Sequence, residues 1–145
     1  MDDNKPTLIE PEVFEDNRGK LYAYNSLDFQ ELAIKRTFFI DVKDFRGWHG
    51  HKEERNWFKV TSGILKILLV KPDNWSKPSF NIEPSEYVLN ARNHSILFIP
   101  PGYVSAMKSL KENSTLQVFS DKKVEESIQD DYRFDSDRWY YETFM

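Results

Sequence analysis

An all-β fold with little helix, a sandwich or barrel of short strands, is what this chain of 145 residues predicts. Three observations carry the prediction. Short apolar or alternating runs recur with turn residues between them, as half-buried strands require. Only two stretches have a helical pattern. Aromatic residues make up 15% of the chain, which suits a small aromatic core or a pocket that stacks flat ligands. Many short strands and few helices argue for two packed sheets or a closed barrel.

The elements can be justified in order. Residues 20–24 alternate as a strand does, and 27–33 is the first helical candidate. Arg36–Val42 alternates again. Residues 57–61 and Ile64–Val70 flank Ser62-Gly63, the pattern of a tight hairpin. Residues 72–78, Pro-Asp-Asn-Trp-Ser-Lys-Pro, form a loop by composition. Residues 87–89 are a weak strand, 90–93 a turn, and 94–99 a strong strand stopped by Pro100-Pro101-Gly102. Residues 116–120 are another strand, and the charged stretch around 124–130 is the second helical candidate. No repeat, low-complexity tract or linker calls for a second domain, so residues 1–145 are expected to form one.

Composition narrows the function classes. A formal net charge of −4 offers no basic field for nucleic acid or an anionic membrane. With no cysteine, disulfides and thiolate catalysis are excluded, and a cytoplasmic setting is permitted. The opening Met1-Asp2-Asp3-Asn4-Lys5-Pro6 does not have the pattern of a signal peptide. Apolar runs such as Ile67-Leu68-Leu69-Val70 are too short to span a bilayer as a helix.

The segment Arg46-Gly47-Trp48-His49-Gly50-His51-Lys52 holds two of the three histidines. On an extended strand His49 and His51 share one face. Such a pair can bind a metal, move a proton or line a wall. Its spacing resembles the first cupin motif, Gly-x5-His-x-His-x3-4-Glu-x6-Gly. Counting back from Gly63 puts Asn56 where that Glu belongs, with Glu53 and Glu54 on the adjoining turn. Pro100-Pro101-Gly102 matches the Pro-x-Gly of the second motif, but its histidine falls at Ser105. Two imidazoles are fewer than the three protein ligands a catalytic metal normally takes.

Residues 14–139 resemble the dTDP-4-dehydrorhamnose 3,5-epimerase-like branch of cupins. Four motifs carry the resemblance: Asp16-Asn17-Arg18-Gly19, Arg46-Gly47-Trp48-His49, Val60-Thr61-Ser62-Gly63 and Ile99-Pro100-Pro101-Gly102-Tyr103. The resemblance implies a cupin-type double-stranded β-helix, or jelly roll, with no metal and no cofactor. It also implies a nucleotide-linked 4-keto sugar as substrate, and a homodimer that exchanges N-terminal strands. In such enzymes the histidine of Arg-Gly-x-His removes a proton beside the ketone, a role that maps onto His49. Arg46 maps onto a substrate contact, and Arg18 onto an anion contact suited to diphosphate. The family's lysine aligns with Asn56 and its acid tyrosine with Phe119, neither of which keeps the chemistry. Asp135 is the loose counterpart of the aspartate that orients the base, and Trp48 is a candidate shaper of the sugar pocket. His49-Gly50-His51-Lys52 is in turn similar to the His-Ala-His-Lys of nucleotide-sugar 3,4-ketoisomerases. Loss of the tyrosine and gain of His51 favour ketoisomerisation over epimerisation. A non-catalytic sugar-nucleotide binder and a metal-dependent cupin are the alternatives. His94 reads as a structural or surface residue, and the aromatic ending 138–144 as a cover for a barrel end or a subunit contact.

Overall fold

The computed structural model describes residues 3–139. In chain order the elements are β1 (Thr7–Ile9), β2 (Glu12–Asp16), β3 (Gly19–Ala23), α1 (Phe29–Leu32), β4 (Arg36–Val42), β5 (Phe45–His51), β6 (Asn56–Ser62) and β7 (Ile64–Val70). There follow β8 (Ser85–Asn90), a 3₁₀ turn (Ala91–Asn93), β9 (Ile96–Ile99), β10 (Tyr103–Ser109) and β11 (Ser114–Ser120). The described chain then runs through α2 (Val124–Ser127), a second 3₁₀ turn (Ile128–Asp130) and β12 (Tyr132–Arg133). One antiparallel sheet has the order β1-β9-β6-β11-β4, the other β12-β5-β10-β7-β8, and β2-β3 forms a separate hairpin. This is the jelly roll the sequence predicts.

The layers follow from the side-chain pattern. Leu65, Ile67 and Leu69 of β7 face inward and meet Phe58, Leu97 and Leu116 of the other sheet in the main core. Leu68 and Val70 point the opposite way, into a second cluster with Trp48, Val104 and Ala106 that Trp139 covers. A strand buried on both faces reads as a continuous apolar run, which is why β7 barely alternates. Each such Leu or Ile contributes roughly 1.5–3 kcal/mol. A third cluster, including Trp57 and Phe98, lies on the outer face of the first sheet under Leu32 of α1. Phe119 packs against that cluster. Asp28 starts α1 by accepting from the backbone N–H of Gln30 and Glu31, and Ala33 ends it in the left-handed region.

Gly63 turns the β6–β7 hairpin at φ +78°, where an added Cβ would come within 2.8 Å of Ser114 Cα. The position therefore demands glycine. The β2–β3 hairpin stands apart from both sheets and leaves Val13, Phe14 and Leu21 more than half exposed. His94 lies against the β2–β3 hairpin and the segment after it. Its ring lies 4.3 Å from that of Tyr22, and its carbonyl accepts from the Tyr24 hydroxyl. The aromatic ending is described only as far as Trp139, which is buried, while Tyr140 to Phe144 lie outside the described residues. No helix among the described residues is long and apolar enough to cross a membrane.

Candidate active site

Between the sheets lies a cavity of about 670 Å³, within the size range of small-molecule sites. Strand β5 builds its reactive wall. Alternation turns Trp48 toward the second core cluster and His49 and His51 toward the cavity. Gly50 lets β10 close against this turn of phase, since a Cβ there would lie 2.5 Å from the Tyr103 carbonyl oxygen. In the β5–β10 register Ser105 pairs with His49 and Tyr103 with His51. All four therefore share the cavity face, and the two imidazole centroids are 4.8 Å apart.

The histidines sit in different surroundings. The His49 side chain is 41% exposed, and its Nε2 lies 2.5 Å from Asp131 Oδ1. That contact is close but not aligned as a linear hydrogen bond. With Nε2 on a carboxylate, a neutral His49 keeps its lone pair on Nδ1, the nitrogen that can take a proton. Burial first, and then the neighbouring His51 and Arg133, hold His49 below the ordinary imidazole pKa, although Asp131 pulls the other way. Burial works to raise Asp131, but His49 and Arg133 together hold it below the usual carboxylate value. These surroundings favour a neutral His49 beside an ionised Asp131.

His51 is 11% exposed. Its Nδ1 lies 2.6 Å from the Asp130 carbonyl oxygen. A carbonyl only accepts, so Nδ1 carries the hydrogen. The Asp130 carboxylate accepts from the backbone N–H groups of Lys52, Glu53 and Glu54 at 2.8–2.9 Å. It thereby fixes the chain leaving β5.

The remaining expected residues divide. Arg46 borders the cavity, as does Asn56, whose amide donates to Glu54 at 2.8 Å. Trp48 borders the cavity, and its indole is 1% exposed, lies edge-on to Trp139 and donates to the Ser136 carbonyl, so its ring packs mainly in the second core cluster. Arg18 lies at the turn of the β2–β3 hairpin, pairs with Asp16 and does not border this chain's own cavity. Asp135 is exposed, and Asp131, four residues earlier, stands against His49 in its place. The cause is the path of the chain, because β12 pairs Arg133 with His49 and so brings the residues just before it, not after it, to the imidazole. Asp131 and Arg36 were not picked out from the sequence, Glu54 was weighed only as a metal ligand beside the histidine pair, and Tyr103 only as the end of the Pro-Pro-Gly motif. The only signal for Asp131 was its place beside the Tyr-Arg-Phe-Asp stretch that pointed to Asp135.

A jelly roll with paired histidines on one inner wall is the architecture of cupin-like enzymes and binding proteins. The chain belongs to the family described as FdtA: WxcM-like, C-terminal, whose model matches residues 4–143. Among curated proteins none matches. Among solved structures, a 3,4-ketoisomerase from Helicobacter canadensis is 23% identical with a TM-score of 0.69, over 94% of this chain and 96% of that one. A double mutant of the 3,4-ketoisomerase QdtA from Thermoanaerobacterium thermosaccharolyticum, in complex with TDP, is 26% identical with a TM-score of 0.65, over 89% and 87%. The dTDP-4-dehydrorhamnose 3,5-epimerase of Bacillus anthracis, with TDP and PPi bound, is 20% identical with a TM-score of 0.71, over 92% and 80%.

Proposed function

We infer that this protein is a metal-independent isomerase of a nucleotide-linked 4-keto-6-deoxy sugar, with 3,4-ketoisomerisation favoured over 3,5-epimerisation. The observation that carries this is the histidine pair on one wall, each ring with its own acidic or carbonyl partner. The 4-ketone acidifies the proton on carbon 3. His49 takes that proton and passes it to the ketone oxygen, giving an enediol and restoring the neutral base. Loss of the proton from oxygen 3 and delivery of one to carbon 4 complete the isomerisation. His51 serves the second transfer from the same face.

Epimerisation needs an acid across the ring. The polar members of the opposite wall are Arg36 and Asn56. A guanidinium stays charged and an amide is no acid, while Phe119 packs outside the cavity. The family resemblance further suggests a cytoplasmic homodimer serving surface-polysaccharide synthesis. The exposed Val13, Phe14 and Leu21 of the β2–β3 hairpin support such a dimer. Arg18 would then meet the anionic substrate in a second copy.

The test is incubation with dTDP-4-keto-6-deoxyglucose in deuterated water. The expected result is solvent exchange at carbon 3 and a 3-keto product carrying deuterium at carbon 4. No exchange at carbon 3 refutes isomerisation, and tight binding without exchange selects a non-catalytic binder. Inversion at carbon 3 with the ketone left at carbon 4 selects the epimerase. A stoichiometric metal in protein purified without chelator refutes metal independence.

A further inference from the structure

Behind the cavity wall, the Glu54 side chain is 1% exposed. Its Oε2 lies 2.8 Å from Asn56 Nδ2, 3.6 Å from Arg36 Nη2 and 3.5 Å from His51 Nε2. It thus joins groups from both walls, because Arg36 and Asn56 belong to one sheet and His51 to the other. Burying a carboxylate is costly unless its partners repay it. Here Oε1 and Arg36 Nε are both buried without a hydrogen-bond partner among the described residues. An arrangement that leaves part of its bonding unmet is poor as pure scaffold.

We propose that Glu54 is a positioning residue for His51, holding the charged imidazole that forms when His51 Nε2 takes a proton. The tautomer argument supports this. The Asp130 carbonyl fixes the hydrogen on Nδ1, so the lone pair is on Nε2, the nitrogen beside Glu54. In the step, a proton passes from the substrate to the Nε2 lone pair, and the electrons of the broken bond stay on the substrate as the enediolate. Glu54 takes no proton and supplies the opposing charge.

The other groups around His51 leave this role open. His49 lies on the same strand at 4.8 Å between centroids, and Tyr103 faces His51 from β10. Arg36 reaches Glu54 from β4, and Asn56 from β6. Asp130 approaches from the C-terminal segment, but its carboxylate is occupied by the three backbone donors of residues 52–54.

The kinetic consequence rests on the isomerase reading, whereas the effect on His51 does not. Histidine-specific ¹⁵N labelling gives three ring systems to follow in the intact protein. In E54Q, which keeps the shape and an acceptor for Asn56, His51 is expected to lose its second proton at lower pH than in wild type. At the same time kcat is expected to fall about tenfold or more with KM little changed. His51 titrating identically in folded E54Q and wild type overturns the proposal. If E54Q does not fold, Glu54→Asp provides the same comparison with a withdrawn carboxylate. A shifted His51 in a protein that turns over no substrate keeps Glu54's role and refutes the isomerase. Turnover with an unshifted His51 does the reverse.

Discussion

The wall contributed by β5 and β10 carries His49, His51, Ser105 and Tyr103, whereas the facing wall carries Phe38, Ile40, Phe58 and Val118, with Arg36 and Asn56 as its polar side chains. On the proposed reading, proton-transfer groups would approach the sugar from one side, and the other side would supply apolar contact and fixed charge. A one-sided site can return a proton to the face from which one left. Among the described residues the facing wall offers Arg36 and Asn56 but no carboxyl, imidazole or phenol to protonate carbon from that side. The same contrast recurs within β5, where the inward residues are reactive and the outward Trp48 is sealed under Trp139.

The strongest way to break this contrast is to remove one histidine at a time. His49→Asn is expected to slow exchange at carbon 3 by about 10³-fold, as read by NMR in deuterated water. His51→Asn is expected to keep that exchange while losing the 3-keto product. Equal effects of the two variants would dissolve the division of labour between them.

Next comes the outward side of β5. Trp48→Ala is expected to cost about 3–5 kcal/mol of stability, measured by denaturant unfolding, while Trp48→Phe leaves turnover close to wild type. A Trp48→Ala protein of normal stability and weakened ligand binding would return the indole to the pocket.

The smallest expected effects lie in the pH profile and sharpen the account of His49. A base works when neutral, so if His49 is the base, kcat/KM rises with pH through its pKa, which burial and nearby positive charge depress. The acid limb is thus expected below the ordinary imidazole range. Asp131→Asn removes the group that raises His49 and moves the limb lower still. Arg133→Gln removes a group that lowers it and moves the limb up. Opposite displacements, or none, would take the role of base away from His49.

Much of the fold was legible because its signals are local. Ser62-Gly63 marks a turn by backbone freedom alone, and the runs 57–61 and Ile64–Val70 meet there as β6 and β7. The helical candidates at 27–33 and 124–130 contain α1, and α2 with its 3₁₀ extension. Strands β1, β2, β10 and β12 were not picked out. In β2, Glu-Val-Phe-Glu-Asp is exposed throughout, so no buried face imposes alternation. In β10, Tyr-Val-Ser-Ala-Met-Lys-Ser lines the cavity with small and polar residues, and its inward pattern is diluted. Within the site, the histidine pair and Arg46 could be read from one short segment. Their partners could not, because Asp130 lies 79 residues beyond His51 and is brought there by tertiary pairing.

The carboxylate of Asp130 stitches three successive amides after β5, and the next residue faces His49. A growing polypeptide makes its histidines long before these aspartates leave the ribosome, and chains tend to organise from the N-terminus. A product cut short before Asp130 therefore owns both imidazoles but has neither of them aimed. The aim of His51 thus depends on a residue 79 positions further along the chain.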